Sequence, residues 1–262
     1  MKNVTNNSGT PVPVKRKPGR PGPQSVEKDQ LRDRILDGSE QLFSESGYAA
    51  TSFRDIARHV QVNPALIGYY FGSKRLLFNE VYKRRGRELT GRWMTRLDAL
   101  EADSHHTPTV EEILRAFLEP QFELKTSIPG GLAFIRLQTR VHSEVSEENF
   151  ALRREVYDEG GKRFIASLER SLPDVDPADV SSRFIFCIGA SLYMIAEVDR
   201  LNDLSSGRFD STQTEEVLER LTNFCVAGML APATRMTKKK TARRRAPPLR
   251  ASSRAARRGD GR

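Results

Sequence analysis

Three helix-start signals follow one another within residues 51–77, TSFRDIARHVQVNPALIGYYFGSKRLL. Ser52 with Asp55 three residues on is a capping-box pattern, in which each side chain satisfies an amide that a first helical turn leaves free. Phe53, Ile56, Ala57 and Val60 then recur at helical spacing and give this helix one apolar face. Asn63 is a second cap, and Pro64 suits the first helical position, where a missing N–H costs nothing. Gly72 stops that helix, and Ser73 caps a third from Lys74. Two short helices joined by about three residues are a helix-turn-helix, whose second member lies in the DNA major groove.

The residues Thr51-Ser52, Arg54-Asp55-Ile56-Ala57, Val62, Ile67, Tyr70-Phe71, Ser73-Lys74 and Leu77 carry a family pattern. With Arg34-Ile35-Leu36, Leu42-Phe43 and Gly47-Tyr48 upstream, they resemble the DNA-binding domain of TetR-family transcriptional regulators. The resemblance runs from near Lys28 to near Arg87. It implies an all-α protein with an N-terminal helix-turn-helix domain and a larger helical domain for ligand binding and dimerisation. Gly68 departs from the pattern, standing where the family often has a large residue. Glycine costs a helix about 0.5–1 kcal/mol relative to alanine, so it is either tolerated or lets the backbone approach DNA closely.

Charge along the 262 residues sorts into blocks. Residues 1–23 carry +5, residues 24–97 carry +4, residues 98–234 carry −11 and residues 235–262 carry +11. The ends and the helix-turn-helix therefore suit phosphate, and the acidic middle does not. Cys187 and Cys225 lie in apolar helical runs, as small core residues or as a redox pair. No metal-ligand spacing or cofactor motif is present. No uninterrupted apolar run reaches the length of a membrane span, and the N-terminus has no apolar signal core, so a cytoplasmic protein without membrane partners is expected.

Four segments are expected: a disordered basic arm over 1–25, the DNA-binding domain over 26–88, a helical effector-binding and dimerisation domain over 89–233, and a disordered basic tail over 234–262. The arm, around Lys15-Arg16-Lys17 and Arg20, either enters the minor groove or only adds charge. The tail has no core-forming residues and is a polyelectrolyte partner for nucleic acid or a solvated extension. Between them, helices are predicted over residues 26–46, 74–102, 110–124 with Pro120 as a kink, 132–143, 147–172, 178–203 and 214–230. Sheet-like alternation is too scarce for strands.

The DNA-binding candidates are Thr51, Ser52, Arg54, Asn63, Pro64, Ala65, Tyr69, Tyr70 and Lys74. Thr51 and Ser52 can offer hydroxyls and amides to a phosphate at a helix N-terminus. Arg54 can reach a base edge or a phosphate. Asn63, Pro64 and Ala65 form the leading end of the recognition helix, where Pro64 and Ala65 can read thymine methyls. Tyr69 stands where the family often has a DNA-contacting His, and Tyr69, Tyr70 and Lys74 resemble its phosphate-contacting set. Tyr70 serves equally well as a core aromatic.

One such unit reads too few base pairs for specificity, so a homodimer on a palindromic operator in double-stranded DNA is expected. Its surface is expected on the last two helices, along Phe184, Ile188, Leu192 and Ile195 and along Val217, Leu221 and Phe224. The middle helices are expected to hold a small-molecule effector, apolar or aromatic, among Phe117, Phe134, Leu137, Arg140, Phe164 and Met194. The implied protein is a dimeric, sequence-specific regulator, a repressor released by its effector. An architectural DNA-binding protein with little sequence preference is the competing reading. An enzyme would need a catalytic constellation that the sequence lacks.

Overall fold

The computed structural model describes residues 23–232 other than 104, 197, 211 and 212. The expected basic arm through residue 22 and the tail from residue 233 lie outside the described residues. Ten helices and no strand occur among the described residues. The first four are α1 (Pro23–Ala50), α2 (Phe53–Val60), α3 (Pro64–Phe71) and α4 (Lys74–Glu101). Next come α5 (Val110–Ser127), α6 (Gly131–Ser143) and α7 (Glu147–Ser171), then α8 (Pro177–Ala196), α9 (Val198–Leu204) and α10 (Thr214–Leu230).

Helix α1 starts at Pro23, inside the segment expected to be the arm. It breaks where expected, at Gly47, whose φ of 82° lies in the left-handed region that side chains avoid. The starts of α2, α3 and α4 are each capped by the side chain that the sequence offered. Ser52 accepts from the Asp55 amide, Asn63 from Ala65 and Ser73 from Leu76. Ile35, Phe43, Ile56, Ile67, Leu77 and Phe78 close the small core beneath α3, and burying each such side chain contributes about 1.5–3 kcal/mol.

Helix α4, 28 residues long, runs from the end of α3 into the helices that follow. Leu77, Phe78, Val81, Tyr82, Leu89, Trp93 and Leu97 line its buried face from one end to the other. The expected boundary after residue 88 therefore falls inside a continuous helix, and the described residues up to Ala231 form one compact unit. On the α1 side, Arg84 and Arg85 both reach the buried Glu40 carboxylate, at 3.0 and 3.1 Å. On the α7 side, Gly86 lies so near Val156 that a Cβ there would stand 2.4 Å from its Cγ1.

Helix α5 runs through Pro120 to Ser127, past its expected end. The segment expected as one helix over 178–203 is two, α8 and α9. Helix α8 alone among the described residues is long and apolar enough, by length and composition, to cross a membrane. Its inner face is core, with Phe184, Cys187 and Ile195 buried. Cys187 and Cys225 are both buried free thiols, and Cys187 Sγ lies 4.0 Å from the Cys225 carbonyl oxygen.

Candidate nucleic-acid interface and interior cavity

Helix α3 is anchored by Ile67 and Phe71, which are buried, and shows the other side to solvent. Asn63, Pro64 and Ala65 are exposed at its leading end. Asn63 Oδ1 accepts from the Ala65 amide at 2.9 Å, so the cap also fixes where the helix begins. Tyr69 is 79% exposed. Tyr70 is half-buried and packs edge-on to Tyr69, with ring centroids 5.5 Å apart. Gly68 has open space where a Cβ would stand, so internal packing does not demand glycine there.

Arg54 is exposed beside this surface. Arg58, one turn further along α2, is exposed too and makes only a 3.4 Å contact with Asp55. Sequence reasoning passed over Arg58, although its i,i+4 spacing from Arg54 puts both opposite the apolar face of α2. Ser52 is exposed, but its amide donates to Asp55 Oδ2 at 3.0 Å and its hydroxyl serves the cap. The amides still lacking an intrahelical acceptor at this end are those of Phe53 and Arg54. The hydrogen bonds from the Ser52 hydroxyl and amide hold the Asp55 carboxyl below its ordinary range.

Two expected DNA contacts face inward instead. Thr51 is buried, and its hydroxyl donates to the Gly47 carbonyl at 2.9 Å. It closes the end of α1. Lys74 donates to the carbonyls of Tyr48 and Thr51, each at 2.9 Å, with its ammonium 4.4 Å from the centre of the Tyr48 ring. A lysine at a helix C-terminus complements the unpaired carbonyls there, and this one reaches them from another helix. These partners lie 23 and 26 positions away in sequence, beyond any local pattern.

Most of the expected dimer stripe is enclosed within the single chain. Phe184, Leu192, Ile195, Val217 and Leu221 are buried within the single chain, and Ile188 is half-buried. They are core because their helices pack on α5, α6 and α7. Phe224 remains exposed, at 69%. The apolar surface of α8 is its other face, with Ile185, Phe186 at 71% and Tyr193. Gly189 on α8 and Gly228 on α10 lie exposed among these side chains.

A cavity of about 650 Å³ opens among α4, α5, α6, α7 and α8. Trp93, Phe117, Tyr157, Ile165, Phe184 and Leu192 give it apolar walls. Gln121, Gln138, His142 and Arg153 add polar groups, with Arg154, Asp158 and Lys162 exposed at the rim. The Trp93 indole N–H donates to the Phe117 carbonyl at 2.8 Å, pinning α4 to α5 at the wall. Burial first, and the positive charge of Arg153 after it, push the His142 imidazole below its ordinary value. Of the six residues expected at an effector site, Phe117 alone is on the wall. Phe134, Leu137 and Phe164 are fully enclosed core, Phe134 against Tyr82 and Phe164 against Trp93 and Phe184. Met194 is half-buried away from the cavity. Arg140 reaches the Glu45 carbonyl of α1 at 3.2 Å.

Two family descriptions match the chain in separate blocks. Residues 35–81 match "Bacterial regulatory proteins, tetR family". Residues 115–228 match "Tetracyclin repressor-like, C-terminal domain". IcaR of Staphylococcus aureus, the negative transcriptional regulator of the biofilm operon icaADBC, is 38% identical over 53 residues, 20% of this chain and 28% of its own length. This chain thus spans well under half of that relative. Among solved structures, a Saccharomonospora viridis protein in complex with choline has TM-score 0.54 at 21% identity, over 75% of this chain and 95% of its own. PfmR of Thermus thermophilus, a TetR-family transcriptional regulator, has TM-score 0.52 at 21% identity, over 75% and 98%. These two likenesses establish the fold.

Proposed function

We propose that this chain, which belongs to the TetR family of bacterial regulatory proteins, is a dimeric, sequence-specific repressor released from its operator by a small molecule, acting in the cytoplasm. One observation carries the reading. The leading end of α3 and Tyr69 stand clear of the protein while Ile67 and Phe71 clamp the opposite side of the same helix. A short helix held this way can enter a major groove without losing its support. Asn63, Pro64, Ala65 and Tyr69 then face base edges, and Arg54, Arg58 and the Phe53 and Arg54 amides face phosphates. Repression is the mode carried over from IcaR's name.

Dimerisation uses the exposed apolar face of α8 and α10, around Phe186, Tyr193 and Phe224. An apolar patch of large side chains is what an obligate interface covers. The effector occupies the cavity that Trp93 lines. Trp93 and Lys74 stand on one helix, so a ligand that favours one setting of α4 also biases the helix-turn-helix. A second link between the same regions runs through α6: Arg140 of α6 donates to the Glu45 carbonyl of α1, and Arg85 of α4 donates to the Pro129 carbonyl just before α6.

Footprinting of the purified full chain on genomic DNA tests the proposal. Protection of a short palindrome by two copies is the expected result. Uniform coating without sequence preference would leave the architectural reading in its place.

A further inference from the structure

Among the described residues, three arginines have a buried Nε without a hydrogen-bond partner: Arg84, Arg92 and Arg153. Two of them are otherwise neutralised. Arg84 pairs with Asp37 and Glu40, and Arg92 with Glu88 and Glu123. Arg153 has no carboxylate partner among the described residues. Its guanidinium lies 4.6 Å from the centre of the Phe150 ring and on the wall of the 650 Å³ cavity. The rim does not supply the missing anion. Arg154 is taken up by Glu147 at 2.7 Å, and Asp158 and Lys162 are exposed charges of opposite sign. Deeper in, Gln121, Gln138, His142 and Tyr157 are uncharged hydrogen-bonding groups.

An unpaired guanidinium held partly out of water is costly unless an acceptor meets it. Its planar fork matches a carboxylate with two parallel hydrogen bonds, which an ammonium or a hydroxyl cannot reproduce. The aromatic and aliphatic walls behind it would cover an apolar body. We infer that the cavity selects amphipathic carboxylates, an apolar chain or ring bearing one anionic head, with Arg153 holding the head at the α7 wall and Trp93, Phe117 and Leu192 covering the body. The preference is opposite in charge to the choline bound by the Saccharomonospora viridis neighbour. The inference rests on the cavity being the effector site.

The chain has a single tryptophan, Trp93, and it lines the cavity, so its fluorescence reports occupancy directly. Decanoate, decan-1-ol and decyltrimethylammonium would be titrated, each below its micelle concentration, into the full chain and into Arg153→Gln and Arg153→Lys. Decanoate should bind at least tenfold more tightly than decanol. Arg153→Gln should erase that difference, and Arg153→Lys should keep part of it, with the thermal midpoint of neither variant lowered. Equal affinity for decanoate and decanol, or preference for the cation, would overturn the charge selection while leaving the cavity as the effector site. A decanoate preference that survives Arg153→Gln would overturn the assignment to Arg153. No response to any of the three would overturn the cavity reading itself.

Discussion

The ammonium of Lys74, the first residue of α4, donates to the carbonyl of Thr51 at 2.9 Å, and so joins the start of the long helix to the residue that leads into α2. The same ammonium reaches Tyr48 at the end of α1. One side chain thus fastens three elements beneath the recognition helix. Hydrogen bonds from a charged donor are each worth about 1.5–3 kcal/mol, less where partly exposed. Lys74→Met should lower the unfolding free energy by about 1–3 kcal/mol. Urea denaturation of the variant checks this, and an unchanged midpoint would return Lys74 to the list of simple phosphate contacts.

Tyr69 should behave in the opposite way. It is exposed, so Tyr69→Ala should change stability by less than about 0.5 kcal/mol. Its removal should weaken operator binding by about tenfold, the scale of a single lost base-edge or phosphate contact. Fluorescence anisotropy on the footprinted fragment measures it. An unaltered Kd would remove Tyr69 from the interface.

The two faces of α8 make contrasting variants possible. Phe186→Glu with Phe224→Glu should give a folded monomer by analytical ultracentrifugation, because both side chains lie on the exposed face. Phe184→Ala should instead cost about 3–5 kcal/mol, the usual loss for an enclosed aromatic. A dimer that persists in the double variant would place the interface elsewhere.

Acid should loosen the helix starts. The folded-state values of Asp55 and Glu112 are lowered, in each case chiefly by hydrogen bonds from the capping residue, Ser52 or Thr109. A lowered carboxylate contributes stability above its unfolded value and loses it as pH falls through the folded value. Stability should therefore drop on acidification below the ordinary carboxylate range. Ser52→Ala and Thr109→Ala should each shrink that drop. Glu40 acts in the reverse sense, because burial raises its value, so its contribution is largest at low pH and is lost as pH rises. Denaturation curves at a series of pH values separate the two signs, and no change in slope in the cap variants would refute the assignment.

The helix starts were legible because a cap is a local event: Ser52, Asn63 and Ser73 each bond to an amide two or three residues away. The inward turn of Thr51 and Lys74 was not, because their partners are set by how α1, α2 and α4 meet. Which side of α8 is enclosed was not legible for a different reason. Helix α8 is apolar nearly all round, with Phe184 inside and Ile185 and Phe186 outside. Periodicity alone cannot tell a face that meets its own subunit from one left for another. The cavity wall has the same difficulty, since Phe117 and Phe164 both sit on the inward faces of amphipathic helices and only packing decides which of them borders empty space.

On the proposed coupling, the close approach of Gly86 to Val156 makes that point of α4 a fulcrum. At 1.5 Å per residue, Trp93 stands about 10 Å from it on one side and Lys74 about 18 Å on the other. A tilt of α4 about this pivot moves its two arms in opposite directions, with the Lys74 end travelling nearly twice as far as the indole. A larger side chain at 86 would wedge α4 off α7 and shift the pivot. On the proposed coupling, the leverage between cavity and groove is set at Gly86, a residue that lines neither proposed site.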